Sequence, residues 1–336
     1  MSLDIVVEDR IPYIRGVLEP AGRVTYLPAG EITPDVMRHT DALITRTRTR
    51  CDAALLDGSP CQFIATATIG TDHIDIPYCR KRGITVANAP GCNAPAVAQY
   101  VMAAILAAHP EGISDLTIGI IGVGHVGSIV ERWARSMGMN VMRCDPPRAM
   151  AGDQGPWHTM DEIARHADVI TFHTPLSRDG DYPTYHLASP DFLAALRRKP
   201  MIINAARGPV TSTEALLQSR AAGTVGPIVI DCWEGEPLID HRLLDATFIA
   251  TPHIAGYSRE GKIRATAMAV DSFCRHFGVN VNPLPVTLPA PPPLAVTEAD
   301  ILSSYHIMAD DAALRADISA FESIRNNYPL RPEPKK

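Results

Sequence analysis

The chain has 336 residues, more than one ordinary core holds, so two or three domains are expected. Hydrophobic residues make up 46% and charged residues 20%, the balance of a folded globular chain, and a formal net charge of −6 argues against nucleic acid as the main partner. No run reaches the ~20 apolar residues that a membrane helix needs, so no membrane partner is expected.

In the first third, strands are predicted near Asp4–Val7, Arg23–Tyr26, Ala42–Thr45, Phe63–Ala67 and Thr85–Ala87. Gly22, Asp41, Gly58 and Gly83 punctuate them, which predicts a small doubly wound unit. Residues 95–108 read as a long helix with Pro95 in its first turn; its apolar content predicts burial between domains, with apolar face to spare for part of a homodimer interface. A second strand series follows: Ile118–Val123, Val141–Asp145, Val169–His173, Ile202–Ala205, Ile228–Asp231 and Phe248–Ala250. Six strands with intervening helices fit a dinucleotide-binding sheet, so the expected class is α/β with a Rossmann-type parallel sheet. From Pro283 to Pro293 the composition turns proline-rich, as in an extended, semi-rigid linker. A helical pattern at 311–327 and a polar, proline-containing tail end the chain.

The most informative stretch is Thr117–Ser128, where the apolar run 118–123 enters Gly122, Gly124 and Gly127 with G-x-G-x-x-G spacing. The first glycine permits a tight turn, the second lets backbone N–H groups approach a pyrophosphate, and the third lets the next helix pack close to the strand. The anion then sits at a helix N-terminus. Asp145, closing the next apolar run, is placed to accept hydrogen bonds from a ribose diol.

In open α/β sheets, ligands bind beyond the carboxyl ends of the strands. Ala206-Arg207-Gly208 follows one strand, Trp233-Glu234-Gly235-Glu236-Pro237 follows the next, and Pro252-His253 the last. An arginine can hold a carboxylate bidentately, a histidine can move a proton near neutral pH, and a carboxylate can fix that histidine's tautomer. Arg207, Glu236 and His253 together with a nicotinamide make a hydride-transfer site for a 2-hydroxy acid. Separately, each has a plainer reading: a surface charge, a turn residue before proline, a core histidine. Seven scattered cysteines without C-x-x-C spacing read as reduced thiols in a cytoplasmic protein. Twelve histidines without an H-x-x-x-H pair give no support to a metal site. No basic segment followed by an apolar stretch opens the chain, so no secretory signal is expected.

Over residues 4–285 the chain resembles the D-isomer-specific 2-hydroxyacid dehydrogenases. The likeness rests on Pro90-Gly-Cys-Asn-Ala94, the glycine fingerprint, Asn204-Ala-Ala-Arg-Gly208, the Glu236-Pro237 turn and Pro252-His253. It extends through Ala67–His73, Cys144–Arg148, Thr171–Leu176 and Thr251–Tyr257. The resemblance implies NAD as cofactor and a phosphorylated four-carbon 2-hydroxy acid as substrate. Alternatives are another D-2-hydroxy acid such as 3-phosphoglycerate, or a dinucleotide sensor, which has no need of an acid/base pair. By the same resemblance Arg207, Glu236 and His253 are catalytic. Gly122, Gly124, His125, Val126, Gly127, Asp145, Thr174, Ala205, Ala206, Arg207, Asp231 and Gly256 are cofactor contacts, and Thr47, Thr68 and Tyr257 are substrate contacts, to which the arginine-rich loop adds Arg46 as a candidate. It further implies a homodimer and a discontinuous, flavodoxin-like substrate domain (1–95 and 256–285) around a nucleotide-binding domain (96–255). A proline-rich linker and shortened C-terminal dimerisation region (286–336) would follow. One departure is the loop Thr45-Arg-Thr-Arg-Thr-Arg50. If extended, it puts Arg46, Arg48 and Arg50 on one face, either a solvated edge or an anion-binding face.

Overall fold

A computed structural model describes residues 2–335. The chain divides into two compact units: residues up to Asn93 together with Arg259–Pro291, and Ala94–Ser258 together with the residues from Pro292 onward.

The smaller unit contains β1 (Leu3–Glu8), β2 (Gly22–Leu27), β3 (Ala42–Thr45), β4 (Phe63–Thr66) and β5 (Thr85–Ala87). All pair in parallel in the order β2-β1-β3-β4-β5. That is the flavodoxin-like order, whose switch point lies between β1 and β3. The helix Arg259–Phe277 covers one face, with Phe273 fully buried beside Phe63.

The larger unit holds β6 (Thr117–Ile121), β7 (Asn140–Cys144), β8 (Val169–Phe172), β9 (Met201–Asn204), β10 (Ile228–Ile230) and β11 (Ile249–Ala250). Their order is β11-β10-β9-β8-β6-β7, all parallel. Successive residues go to opposite faces: Met201 and Ile203 join one core cluster and Ile202 the other, as do Val229 against Ile228 and Ile230. A parallel sheet buried on both faces needs such uninterrupted apolar runs. The expected set of six strands is present. The position outside β7, however, is reduced to a single bridge between Arg143 and Trp157, and β11 extends the opposite edge. The switch point falls between β6 and β8, so the glycine fingerprint and Thr174 leave the sheet side by side.

Two expectations need correction. The helix Ala94–Ala108 does not offer a spare apolar face, since thirteen of its fifteen residues are buried. Its neighbours in the core include Trp133, Val296, Ile301 and Tyr305, so residues of the C-terminal segment cover part of it. The helical pattern at 311–327 is also broken. Ile307–Ala316 ends at Asp317, whose carboxylate accepts the Ala320 N–H at 3.2 Å and caps a short 3-10 turn before the helix Phe321–Asn326. A side chain that bonds nearby backbone competes with helix continuation.

The C-terminal segment is tied down by Arg331, which is 6% exposed. Its guanidinium donates to Gln99 Oε1 (3.0 Å) and to the carbonyls of Ala96 (3.1 Å), Ile254 (3.1 Å), Tyr257 (3.2 Å) and Ala255. It also lies 4.1 Å from the centre of the Tyr305 ring. Asp310 accepts from both Tyr305 and Tyr328, placing a buried carboxyl group behind the two rings. Replacing Arg331 by Met keeps the stem but leaves these carbonyls unpaired, so stability should fall by about 3–5 kcal/mol. Urea denaturation checks this; a loss below about 1 kcal/mol would show that the cluster is replaceable.

Candidate active site

The fingerprint loop is shaped by steric necessity. Gly122 has φ of +87°, and a Cβ there would lie 2.8 Å from the His173 carbonyl carbon. A Cβ on Gly127 would lie 2.2 Å from the Gly122 oxygen, so only glycine lets the helix His125–Ser136 start against the strand. Gly124 faces open space. A cavity of about 440 Å³ adjoins it, lined by Val123, Gly124, His125, Ser128, Ile129, Arg132 and Arg148. Asp145 accepts the Val123 N–H (2.8 Å) and the Arg148 N–H (3.1 Å). A carboxylate has about four lone-pair positions, so two remain for a diol. Arg148 bonds the Val123 carbonyl and pairs with Asp153, so its charge is shared at the rim of the cavity. Among the described residues the buried Thr174 hydroxyl has no hydrogen-bond partner. An open glycine, exposed N–H groups, an acid and an orphaned hydroxyl at one switch point fit a dinucleotide. Val126 lies in the first turn of that helix, and Ala205, Ala206, Asp231 and Gly256 follow β9, β10 and β11 on the same rim.

Arg207 stands on a turn built by Asn204. The Asn204 amide donates to the carbonyls of Arg207 (2.9 Å) and Gly208 (3.2 Å), and its oxygen accepts the Ala206 N–H (3.1 Å). A Cβ on Gly208 would meet the Trp233 carbonyl oxygen at 2.0 Å. Glycine therefore lets the Arg207 turn close against the turn that carries Glu236. The Cys232 thiol sits between them, buried, with the charges of Asp231, Glu236, Arg207 and Arg325 all bearing on it. Burial pushes that thiol well up, so it stays protonated.

His253 Nδ1 lies 2.5 Å from Glu236 Oε1. Burial acts to raise the Glu236 pKa, but the bond to His253, its charge, the Trp233 N–H and Arg325 outweigh burial and hold the carboxyl below its ordinary range. Glu236 is thus an anion at neutral pH, and His253 keeps Nε2 for a ligand. His253 has φ of +57°, an uncommon value for a residue other than glycine. It is enforced by Asp231, which is 1% exposed. The Asp231 carbonyl accepts the His253 N–H (2.9 Å), and its carboxylate accepts from Thr251 Oγ1 (2.7 Å), Ile254 N (2.8 Å) and Ala255 N (3.0 Å). Asp231, expected as a cofactor contact, therefore also fixes the backbone on both sides of the histidine.

Tyr257 lies four residues beyond His253 and packs edge-to-face on Tyr328 at 6.2 Å. In the smaller unit, Thr47 and Arg46 follow β3 at that sheet's own switch point. The arginine-rich loop is not extended: it bends at 47–49, leaving Thr47, Arg48 and Arg50 exposed and Thr49 buried. The three arginines therefore do not share a face by alternation. Arg50 pairs with Asp52 (2.6 Å), and Arg46 donates to the Arg10 carbonyl (3.3 Å). The loop is held by Glu8, a buried carboxylate that accepts from Thr45 Oγ1 (3.1 Å), Arg46 N (2.9 Å) and Thr49 Oγ1 (3.4 Å). Thr68 shares a 2.6 Å hydrogen bond with Thr66 and donates to the Gly70 carbonyl. Sequence reasoning missed Glu8, Asn204, Arg325 and Arg331. Of these only Asn204 carried a signal, as the first residue of a quoted motif.

A second acid holds the Glu236 turn from outside. Glu234 meets His186 Nε2 at 2.6 Å and accepts the Thr213 N–H at 2.7 Å. Burial raises its pKa, but these partners outweigh burial and leave it lowered. A carboxyl depressed in the folded state stabilises above its unfolded pKa, and that contribution is lost as pH falls through the folded value. Glu234→Gln should therefore lower the melting temperature at neutral pH and flatten its decline in acid. Melting curves from about pH 3 to 7 check this; parallel curves for the two proteins would contradict it.

The family model described as the NAD binding domain of D-isomer specific 2-hydroxyacid dehydrogenases matches residues 99–255. The chain is 44% identical over 341 residues to the erythronate-4-phosphate dehydrogenase of Bacteroides thetaiotaomicron, covering 99% of this chain and 98% of that one. It is 41% identical to the enzyme of the same name from Porphyromonas gingivalis, covering 97% and 92%. The C-terminal segment thus has its counterpart in the Bacteroides relative. Among solved structures, an NAD+-bound 3-phosphoglycerate dehydrogenase of Entamoeba histolytica superposes with a TM-score of 0.71 at 24% identity, covering 84% of this chain and 100% of that one. The TT0316 protein of Thermus thermophilus superposes with a TM-score of 0.70 at 26% identity, covering 85% and 100%. With its glycine cradle and an acid–histidine pair beyond the same sheet, the chain belongs to the NAD-dependent D-isomer-specific 2-hydroxyacid dehydrogenases.

Proposed function

We propose that this chain oxidises 4-phospho-D-erythronate at C2, giving 2-oxo-3-hydroxy-4-phosphobutanoate, within pyridoxal 5'-phosphate formation. The observation that carries the reading is the Glu236–His253 pair at 2.5 Å, which commits Nδ1 and leaves Nε2 as the base. The near full-length likeness to erythronate-4-phosphate dehydrogenases supports the substrate. NAD, when bound, supplies the hydride acceptor. Gly122, Gly124 and Gly127 cradle its pyrophosphate, Asp145 takes its ribose diol, and Thr174 offers a donor. Nε2 of His253 takes the C2 hydroxyl proton, and Glu236 holds the imidazolium so formed. Arg207 presents its planar fork to the substrate carboxylate and to the oxygen that becomes a ketone.

In the smaller unit, the residues proposed for substrate are Thr47, Thr68 and Arg46, with Glu8 setting the loop. In the larger unit Tyr257 is proposed. The smaller unit as a substrate domain and the larger as the nucleotide domain complete the assignment. A homodimer is proposed as the working form. The large apolar side chains left exposed on the C-terminal segment, Leu294, Leu302 and Met308, support an interface there rather than on the buried 94–108 helix. Seven free cysteines suit a reducing, cytoplasmic setting.

His253→Ala should lower kcat by about two to four decades while NAD affinity stays near wild type. Glu236→Gln removes the charge that favours imidazolium. The imidazolium formed as His253 takes the proton then lacks its anionic partner, so kcat should fall by about tenfold or more while NAD affinity stays near wild type. Full activity of His253→Ala or of Glu236→Gln would show the roles to be misassigned. The Asp145 carboxylate should also exclude a 2′-phosphate. NAD should therefore be preferred to NADP with the same substrate, and equal kcat/KM for the two would remove that role.

A further inference from the structure

The helix Phe321–Asn326 is anchored by Phe321, 1% exposed, in the same core cluster as Trp233, with Ile318 and Ile324 packed against it. This brings Arg325 to the catalytic turn. Its guanidinium hydrogen-bonds Tyr257, and the charge of Glu236 bears on it. Glu322 forms only a long ion pair with Nη1, at 3.9 Å and beyond hydrogen-bond distance, and among the described residues the buried Nε has no partner. The side chain is 20% exposed. A guanidinium presents five N–H donors, and desolvating it is costly unless anions and acceptors compensate. Here Glu236 is already engaged by His253 and the Trp233 N–H. A half-satisfied cation beside Tyr257, the residue proposed for substrate, is the electrostatic signature of a site for an anionic ligand.

We propose that Arg325 is a specificity-determining residue: with Tyr257 it receives the phosphate monoester of the substrate, while Arg207 serves the carboxylate. The phosphate brings three acceptor oxygens and nearly two negative charges, matching a guanidinium whose hydrogen-bonding capacity the described residues do not fill. The C-terminal segment is then part of the substrate site. The inference rests on the substrate reading above, and its test separates the two.

The experiment measures kcat/KM of the wild type, Arg325→Met and Arg325→Lys on 4-phosphoerythronate and on erythronate, with NAD binding followed by fluorescence on each protein. The wild type should prefer the phosphorylated acid. Arg325→Met should lower that preference by about ten- to hundredfold, as expected for charge-assisted hydrogen bonds. Arg325→Lys, which keeps the charge and loses the fork, should fall between. If Arg325→Met no longer binds NAD, the Lys variant decides, and an unchanged preference in it overturns the proposal. An equal loss on both substrates, with a displaced pH profile, would make Arg325 a positioning residue for Glu236 and also overturn it. A wild type indifferent to the phosphate removes the substrate reading and the proposal together. A discriminating wild type with an equally discriminating Arg325→Met removes the proposal alone.

Discussion

The segment after His253 is held between the buried carboxyl of Asp231 and the buried guanidinium of Arg331, and the arrangement of the larger unit's candidate active site depends on that clamp. Asp231 takes the N–H groups of residues 253–255 with its carbonyl and carboxylate. Arg331 takes the carbonyls of Ile254, Ala255 and Tyr257. Every one of these peptide groups is thereby satisfied without regular secondary structure, which a buried loop requires. Burial pushes the Asp231 pKa up, while the charge of His253 and its own donors act to lower it. The left-handed backbone at His253 costs on the order of 1 kcal/mol or more, and it persists because both sides are fixed. Its consequence is an imidazole whose Nδ1 meets Glu236.

The same clamp explains why the C-terminal segment belongs to the larger unit. Arg331 ties the loop after His253 to Gln99 and Ala96 in the first turns of the 94–108 helix. Ser258 closes the loop by donating to Glu333 at 2.7 Å. A further link runs from Tyr100 through the Thr251 hydroxyl to Asp231, at 2.8 and 2.7 Å. Helix, the loop after His253 and tail are therefore joined by one polar network inside an apolar shell. Such networks define geometry best when every member is satisfied. Trp233 extends this one by donating from its indole to the Thr251 carbonyl while its backbone N–H serves Glu236.

Much of this was legible in the sequence, because the signals were local. Parallel strands buried on both faces announce themselves as apolar runs, and Gly122, Gly124 and Gly127 report a turn with defined steric demands. Arg207, Glu236 and His253 could be grouped because each follows a strand of one sheet. The illegible parts depend on partners far apart in the chain. Arg331 meets Ala96 across 235 positions and Ala255 across 76. Glu8 meets the Thr45–Thr49 loop across about forty. Nothing around Arg331, in a proline-containing tail, distinguishes it from a solvated cation. The 94–108 helix misled for a related reason. A helix apolar on all sides is buried, but its sequence does not say by what, and here part of the cover comes from residues two hundred positions later.

In the proposed reaction hydride leaves C2 of a phosphorylated 2-hydroxy acid directly, while His253 takes the hydroxyl proton. The most direct test uses 4-phosphoerythronate deuterated at C2 and mass spectrometry of the reduced cofactor. One deuterium should appear in the NADH for each 2-oxo acid formed, and the rate should fall when C2 carries deuterium and hydride transfer limits turnover. NADH without deuterium, or no NADH from this substrate, would contradict the account.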